Sequence, residues 1–378
     1  MTTERRPIAL LINILTASGA QRRIAELANR FVALGRAVDV VAVYPGGPMT
    51  DMLSPAVRLV TLAPHGMPHK RSTWGFAPAL RRYLDEARPD ILMSSVTDTH
   101  ILGVAVKAKL RTLDAPLILR ASRNPYRYLT PERVAKRAFE PVVRWKMAQI
   151  YGRADAIIVL ANDSAKGMRR LLPRFAGPIE TIYNPVLTGA LLAQSPRAVP
   201  HPVAAYPLII AIGRLNEQKD FATLLRAFAI LRRERPARLV ILGKGEQHAL
   251  LTQLAERLGI GDDFTLPGEI ENVFEWIGKA DLFATTSLWE GVQGALVEAL
   301  ALGCPVVATD APSGAREVLY DGRIGALVAA SDPLAFARAM QRTLDAPPDP
   351  GPLVEAAQRF RTEGKAEAYL ALFERLKL

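Results

Sequence analysis

The alternation that runs through the whole chain is clearest in residues 208–221, which read Leu-Ile-Ile-Ala-Ile-Gly-Arg-Leu-Asn-Glu-Gln-Lys-Asp-Phe. Five apolar residues predict a buried strand, Gly213 follows at its end, and an amphipathic helix is predicted to begin at Phe221. A continuous apolar run, rather than an alternating one, is typical of a parallel strand that is covered on both faces. The stretch therefore predicts one strand–loop–helix unit of an α/β sheet.

The same unit recurs along nearly the whole chain, which predicts two doubly wound, Rossmann-like domains. Five prolines at residues 185–207 interrupt the pattern and indicate a linker. We therefore place the first domain at residues 1–187 and the second at residues 200–355. Ligands of such sheets bind beyond the carboxyl ends of the strands, so two facing sheets imply a cleft for two substrates.

Strands are predicted at residues 8–14, 38–43, 57–62, 91–94, 117–120, 156–160, 179–182, 208–212, 238–242, 263–266, 282–285, 306–308 and 326–328, and helices at 20–34, 77–87, 100–109, 131–151, 221–233, 247–258, 272–279, 294–302, 333–344 and 354–376.

Composition indicates a globular protein of a reducing compartment. The 378 residues are 49% hydrophobic and 22% charged, which is typical of soluble domains. The single cysteine, Cys304, excludes an intrachain disulfide. The apolar run at residues 8–15 is too short to span a bilayer. We interpret it as the first strand rather than as a signal peptide, because a helical pattern follows directly.

The positive charge is concentrated in the first half of the chain. Residues 1–185 carry 28 Lys and Arg against 14 Asp and Glu, whereas residues 186–378 carry 20 against 23. A basic half favours an anionic partner, which is nucleic acid, an acidic membrane surface or a phosphorylated substrate. A solvated, arginine-rich surface explains the same charges, and composition leaves these alternatives open.

The strongest candidate for a chemical site is the loop and helix after the predicted strand at 282–285. Glu290 lies in this loop with Gly291 and Gly294, and glycines let backbone N–H groups approach an anion closely. A helix that begins near Gly294 adds its positive dipole end. The stretch can thus hold a diphosphate without a metal, with Glu298 within reach of a ribose hydroxyl. As an isolated pair, the two glutamates are more simply a helix-start carboxylate and a solvated helix residue.

Two cations at the end of the first strand of the second domain change that balance. Arg214 offers a planar fork of donors suited to phosphate, and Lys219 adds a point charge. Gly213 leaves room for a ligand. Pairing of either cation with Glu217 or Asp220 is the structural alternative, but the arrangement favours phosphate binding.

Taken together, these residues resemble the family-4 retaining glycosyltransferases of the GT-B fold. The resemblance covers about residues 207–345. It implies transfer of a hexose or N-acetylhexosamine, with retention, from a nucleotide-sugar, preferably a UDP-sugar, to a lipid-linked or polysaccharide acceptor in cell-envelope glycan synthesis. It also implies a C-terminal helix, at about residues 360–378, that crosses back to the first, acceptor-binding domain. The matching motifs are residues 213–221, 242–246, 280–283, 290–310, 312–317 and 322–328.

The resemblance assigns roles to individual residues of the second domain. It implies that Arg214 and Lys219 bind the donor diphosphate, that Glu290 lies by the donor sugar, and that Glu298 contacts the ribose. Residues 266–270 would frame the base through backbone contacts. The expected donor-binding residues are Gly19, Gly213, Arg214, Lys219, Gly243, Ile270, Val292, Gln293, Gly294, Ala295, Leu296 and Glu298.

The first half of the chain matches the family less closely. Residues 16–22 look like the family's glycine-rich loop, although Ser18 replaces a glycine and Gln21 a glutamate. Gly19 still permits a backbone N–H to approach a phosphate. His100 matches a histidine that many members carry near the donor sugar, and a capping role is the alternative. The expected catalytic residues are therefore Glu290, His100, Arg214 and Lys219.

Residues 120–174 combine basic side chains with interleaved aromatic ones. This combination suits the surface of an anionic membrane and a lipid-linked acceptor, so we expect a cytoplasmic protein that is peripheral on the inner face of the membrane. A solvated basic face is the alternative. The residues are Arg123, Arg127, Arg133, Lys136, Arg137, Arg144, Lys146, Arg153, Lys166, Arg169, Arg170 and Arg174, with Tyr126, Tyr128, Phe139 and Trp145.

Other functions fit the sequence less well. No Asp-x-Asp triplet occurs, and one cysteine with five histidines gives no zinc spacing, so we expect no metal and no cofactor. An epimerase or a phosphorylase shares the two-domain shape but not the order of the motifs. A nucleic-acid-binding protein, which is the alternative from another class, lacks a recognition motif, so no nucleic-acid partner is expected. A dinucleotide enzyme is disfavoured because residues 243–246 lack the third glycine of the fingerprint.

Overall fold

The chain forms two compact units, each built on a parallel sheet. Unit 1 comprises the residues up to Tyr183 together with those from Glu363 onward, and unit 2 runs from Asn184 to Thr362. The predicted pair of doubly wound domains is thereby confirmed. No helix in the described ranges combines the length and the apolar character that crossing a membrane requires. The structure, a computed structural model, describes residues 6–15, 19–47, 49–64, 73–95, 115–121, 140–187, 189–193, 206–270, 272–290, 292–311 and 314–377.

The sheet of unit 1 has the strand order β3-β2-β1-β4-β5-β6-β7, and its strands are parallel. The chain builds outward from β1 to β3 and then restarts on the other side of β1 with β4. The order therefore reverses between β1 and β4. The strands are β1 Ile8–Ile12, β2 Val38–Ala42, β3 Arg58–Thr61, β4 Ile91–Ser94, β5 Leu117–Ala121, β6 Ala156–Val159 and β7 Ile179–Thr181.

The sheet of unit 2 repeats this plan with the order β10-β9-β8-β11-β12-β13, again parallel. Here the order reverses between β8 and β11. Because all strands point the same way, the loops that follow β8, β9 and β11 leave the sheet at one edge. The strands are β8 Leu208–Ile212, β9 Arg238–Leu242, β10 Phe264–Gly268, β11 Leu282–Thr285, β12 Val306–Thr309 and β13 Ala326–Val328.

Helices cover both faces of the first sheet. Successive side chains of a strand point to opposite faces, and because both sets are apolar, both faces must be buried. Ala9 and Leu11 of β1 pack in one buried cluster, whereas Ile8, Leu10 and Ile12 pack in another. Among the described residues, the helices of unit 1 are α1 Gly19–Ala33, α2 Ala77–Ala87, α3 Glu140–Tyr151, α4 Asn162–Leu171 and α13 Lys365–Leu376, and those of unit 2 are α5 Gly189–Leu192, α6 Phe221–Glu234, α7 His248–Arg257, α8 Val273–Lys279, α9 Gly294–Ala301, α10 Ala315–Val318, α11 Pro333–Asp345 and α12 Pro350–Ala357.

The C-terminal helix α13 packs on the first sheet, as the resemblance predicted. Tyr369 and Phe373 of this helix form edge-to-face contacts with Phe31 of α1 at centroid separations of 6.2 and 5.8 Å. The guanidinium of Arg120, at the end of β5, is buried and donates a hydrogen bond from Nε to the Tyr369 hydroxyl at 2.9 Å. The last helix of the chain thus completes the core of unit 1.

The prediction of one continuous helix over residues 354–376 is wrong. The structure has two helices, α12 and α13, with an interruption between them. The amides of Val186 and Leu187 both donate to the carbonyl of Phe360, so this part of the chain bonds to a neighbouring segment instead of continuing a helix. Gly364 then adopts a left-handed conformation (φ +76°) just before α13. A helical pattern in the side chains does not reveal such a change of backbone partner.

We predict that Tyr369→Phe destabilises unit 1 by about 1–3 kcal/mol, because the buried Arg120 Nε loses its acceptor. Thermal and urea unfolding followed by circular dichroism measure the loss. Tyr206→Phe, at a half-exposed tyrosine of unit 2, is the matched control and should change stability by less than about 0.5 kcal/mol. Equal effects of the two variants would contradict the role of the Tyr369 hydroxyl.

Candidate active site

An ion pair joins the two loops that leave unit 2 at its reversal of strand order. Lys219 Nζ, in the loop after β8, lies 2.6 Å from Glu290 Oε1, in the loop after β11. Both side chains are largely buried, at 19% and 15% exposure. Ligands of open α/β sheets bind at such a reversal, outside the carboxyl ends of the strands. The structure therefore brings together two of the predicted catalytic residues at the position where this fold binds ligands.

Hydrogen bonds to backbone carbonyls join the lysine-bearing turn to the glutamate-bearing loop. The hydroxyl of Thr286 donates to the carbonyls of Lys219 (2.8 Å) and Asp220 (3.0 Å). The Leu288 amide donates to the Gln218 carbonyl at 2.8 Å, and the Gln218 side chain donates to the Trp289 carbonyl at the same distance. These bonds hold the two loops together in addition to the ion pair.

Buried polar side chains line the inner side of this loop. Ser287 Oγ donates to Glu290 Oε1 at 3.3 Å, and the Thr309 hydroxyl donates to the Ser287 carbonyl at 2.7 Å. Thr285 Oγ1 donates to Gln293 Oε1 at 2.8 Å. Within the described part of the chain, Gln293 Nε2 is buried without a hydrogen-bond partner. Buried donors without a partner are rare in native proteins. The sequence of this loop is therefore determined by more than close packing and stability.

The glycines predicted to admit a ligand make room for other parts of the protein. A Cβ on Gly213 would lie 2.6 Å from Cε of Lys219, so the lysine stem fills that space. A Cβ on Gly243 would lie 1.9 Å from the Gly213 carbonyl oxygen, and its φ of +146° favours glycine. Gly243 thus lets the loops after β8 and β9 pack backbone against backbone, and Gly213 leaves space for the stem of the lysine whose ammonium contacts Glu290.

Helix α9 begins at Gly294, one turn before Glu298, and Gln293 is its N-cap residue. The Glu298 carboxylate lies close to this helix start, with Oε1 3.9 Å from the position of a Cβ on Gly294. Leu296 is fully buried and Val292 nearly so, which leaves their backbone as the part that can contact a ligand. Ala295 is half-buried in the first turn of the same helix.

The remaining predicted residues have different surroundings. Arg214 is exposed, and its guanidinium forms no ion pair in the described ranges. Ile270 is half-buried just after β10, and Gly19 is the first residue of α1. His100, Gly291, and residues 16–18 and 122–139 lie outside the described residues, so their predicted roles stay predictions.

A cavity of about 440 Å³ lies beside the lysine-bearing turn but includes none of the predicted donor-binding residues. Burial raises the pKa of the Asp220 carboxyl in its wall, although that carboxyl accepts a hydrogen bond from the Thr223 amide at 3.3 Å. The residues that line the cavity are Glu217, Asp220, Ala222, Thr223, Arg226, Gln247, Leu288, Ser331 and Pro333.

Sequence comparison assigns the two halves of the chain to the same enzyme class. Residues 206–346 match the family described as glycosyl transferases group 1, and residues 17–189 match glycosyltransferase family 4. The chain belongs to the group 1, family 4 glycosyltransferases. The predicted family and enzyme class are thereby confirmed.

Relatives of this glycosyltransferase include enzymes with named substrates. The chain is 30% identical over 187 residues to an N-acetylgalactosaminyltransferase of Campylobacter jejuni named for a diacetylbacillosaminyl-diphospho-undecaprenol acceptor; the match spans 50% of each chain. It is 26% identical over 345 residues to an α-1,4-N-acetyl-D-galactosaminyltransferase of the same organism, over 89% of each chain. It is also 39% identical over 260 residues to an uncharacterized glycosyltransferase of Methanocaldococcus jannaschii, over 65% of this chain and 63% of that one.

Solved structures confirm the GT-B fold of this glycosyltransferase. Sucrose-phosphate synthase from Thermosynechococcus elongatus superposes with a TM-score of 0.81 at 21% identity, over 98% of this chain and 99% of the other. Anabaena HepE, solved with UDP-glucose, gives a TM-score of 0.74 at 19% identity, over 98% and 99% of the chains. At this level of identity the likeness establishes the fold.

We predict that Gly243→Ala and Gly213→Ala destabilise this glycosyltransferase to very different extents. The first places a methyl group on a backbone carbonyl at a φ that favours glycine, and should cost about 3 kcal/mol or more. The second displaces only the lysine stem, and should cost about 1 kcal/mol. Urea unfolding followed by circular dichroism provides the comparison. Similar losses in both variants would show that the close approach of the two loops is unimportant.

Proposed function

We propose that this chain transfers a sugar, with retention of anomeric configuration, from a UDP-sugar to a lipid-linked or polysaccharide acceptor. Unit 2 binds the donor, and unit 1 binds the acceptor. The observation that carries the proposal is the contact between Lys219 and Glu290 at the reversal of strand order in unit 2. Because the partners are a cation suited to a diphosphate and a carboxylate suited to sugar hydroxyls, both halves of a sugar diphosphate have a recognition group there.

The leaving group of such a reaction is a nucleoside diphosphate that gains negative charge as the glycosidic bond breaks. Lys219, the exposed guanidinium of Arg214 and the N-terminus of α9 supply positive charge for it. The side chain of Glu290 orients the donor sugar, and Glu298 holds the ribose. We also propose a catalytic role for His100, which lies outside the described residues. These groups account for charge stabilisation by the chain's own residues, so the proposal includes no metal or cofactor.

The acceptor assignment rests on relatives and on charge. The first Campylobacter relative is named for a diphospho-undecaprenol acceptor, and the second for a PP-undecaprenol-linked one. The chain covers half of the first relative's length and most of the second's. A lipid diphosphate is an anion, and the basic first half of this chain complements it. We therefore propose a polyprenyl-diphosphate-linked sugar as the acceptor and an N-acetylhexosamine or hexose as the transferred sugar.

We predict that Arg214→Ala slows nucleotide release from the sugar donor by about 10²–10³-fold, which corresponds to about 2–4 kcal/mol for the loss of one donor to the transition state. The donor is first identified by a thermal-shift screen against UDP-, GDP- and ADP-sugars, since a ligand of the folded state raises the melting temperature. Arg233→Ala, at an exposed arginine in the last turn of α6, is the matched control. A rate within threefold of wild type for Arg214→Ala would exclude the diphosphate role, and no response to any donor would exclude the function.

The membrane part of the proposal rests on α3 in unit 1. Trp145 is 62% exposed and Val142 is 49% exposed, although the other large apolar side chains that the structure describes in unit 1 are mostly buried. Arg144 and Lys146 are exposed on either side of the tryptophan. A tryptophan flanked by cations suits the headgroup region of an anionic bilayer. We propose that α3 holds the protein at the cytoplasmic face of the membrane, where lipid-linked acceptors are found.

We predict that Arg144→Ala/Lys146→Ala weakens binding to phosphatidylglycerol-containing vesicles by about 2 kcal/mol, roughly 30-fold, because each cation contributes about 1 kcal/mol at an anionic surface. Flotation at low salt and at about 0.15 M salt measures the binding. Leu250→Ala, at an exposed leucine of unit 2, should leave it unchanged. Absence of wild-type flotation at low salt would remove membrane attachment from the proposal without affecting donor binding.

A further inference from the structure

One oxygen of Glu290 carries both of the contacts that the structure gives to this carboxylate. Lys219 Nζ lies 2.6 Å from Oε1, and Ser287 Oγ lies 3.3 Å from the same atom. The lysine contact is as short as a strong ion pair, whereas the serine contact is longer than the 2.5–3.0 Å of a strong hydroxyl hydrogen bond. Neither contact uses Oε2. Within the described residues, one oxygen of the carboxylate is thus held by two protein groups, and neither of these groups contacts the other oxygen.

The Ser287 hydroxyl is held in place independently of the lysine. Its residue is fully buried, and its carbonyl accepts the Thr309 hydroxyl at 2.7 Å. Thr285 Oγ1 lies 3.5 Å away, but its single proton is donated to Gln293 Oε1 at 2.8 Å. The serine proton therefore has the charged Glu290 carboxylate as its acceptor, since charge-assisted hydrogen bonds are about twice as strong as neutral ones.

The two contacts of Oε1 respond differently to an arriving diphosphate. A diphosphate carries more negative charge than a carboxylate, so it competes for the Lys219 ammonium. Loss of the lysine would leave Glu290 facing an anion, and repulsion would drive the carboxylate outward. Ser287 is neutral and fixed by the buried loop, so the diphosphate does not compete for it in the same way.

We infer that Lys219 changes partner from Glu290 to the donor diphosphate, and that Ser287 then holds Glu290 in position for the donor sugar. This inference rests on the proposed function and deepens it. Ser287 acts through Glu290 and is a positioning residue. Before the donor binds, the ion pair neutralises both charges. When Lys219 moves to the diphosphate, the Glu290 carboxylate becomes available to the donor sugar.

Titration with inorganic pyrophosphate tests the partner exchange. Glu290→Gln should bind pyrophosphate about threefold to tenfold more tightly than wild type, because Lys219 no longer has an ion pair to break. Glu298→Gln removes a carboxylate from the same helix start without touching that pair, and it controls for simple repulsion. Lys219→Ala should bind more weakly than wild type. Unchanged affinity in Glu290→Gln, or equal tightening in Glu298→Gln, would overturn the exchange.

Turnover tests the role of Ser287. Ser287→Ala should lower kcat for UDP release about tenfold while the donor KM stays within about twofold. The double variant Ser287→Ala/Glu290→Ala should be no slower than Glu290→Ala alone, because both changes remove the same interaction. Ser164→Ala, at a buried serine of α4 in unit 1, should match wild type. Losses that multiply in the double variant, or a rise in KM instead of a fall in kcat, would overturn the positioning role.

Failure of the inference is distinguishable from failure of the proposed function. If wild type releases no nucleotide from any UDP-, GDP- or ADP-sugar, the proposed function is wrong, but the pyrophosphate titrations still decide the exchange. If wild type turns over a donor and Ser287→Ala behaves like Ser164→Ala, the function stands and the positioning role is wrong. Melting temperatures of all variants identify any change that acts by unfolding.

Discussion

The short contact between Lys219 and Glu290 depends on the strand order of unit 2. Because the order reverses between β8 and β11, the loops after these two strands leave adjacent points of the sheet edge. Two largely buried charges are costly to desolvate, and their attraction offsets that cost only in good geometry. The hydroxyl of Thr286 and the side chain of Gln218 supply that geometry through backbone contacts. The ion pair is thus a product of the fold, and it places opposite charges where a ligand can separate them.

Space is the second requirement, and two glycines provide it. The stem of Lys219 occupies the volume that a side chain at 213 would fill, and the carbonyl of Gly213 occupies the volume that a side chain at 243 would fill. A small side chain at position 213 is tolerated because the flexible stem of Lys219 can move aside. A side chain at position 243 is not tolerated, because the Gly213 carbonyl cannot move without moving the end of β8. A glycine near a charged loop therefore need not contact a ligand in order to be essential to its binding.

Much of this arrangement was predictable from the sequence, because it depends on local patterns. The apolar runs predicted the bounds of β8, β9 and β11 as the structure has them, and the helix predicted from Gly294 begins there as α9. The sequence did not predict which residues contact each other over long distances along the chain. Glu290 is 71 positions from Lys219, and only the strand order brings the two together. The interruption before α13 escaped prediction for the same reason, since it depends on the bonds from Val186 and Leu187 to Phe360. Of the buried polar residues, Ser287 carried a signal: a serine three positions before Glu290, after an apolar strand.

The buried polar residues next to Glu290 indicate that the sequence of this loop does not maximise stability. Thr285, Thr286, Ser287 and Thr309 are all buried at the ends of β11 and β12, where an apolar side chain would need no hydrogen-bond partner. Each hydroxyl has a partner, but among the residues that the structure describes the side-chain amide of Gln293 has no acceptor for one buried donor, which costs about 1–3 kcal/mol. Apolar replacements would remove that cost together with the hydroxyl that reaches Glu290. Places where a sequence accepts such a cost are expected to be functional, and here the cost lies directly behind the carboxylate.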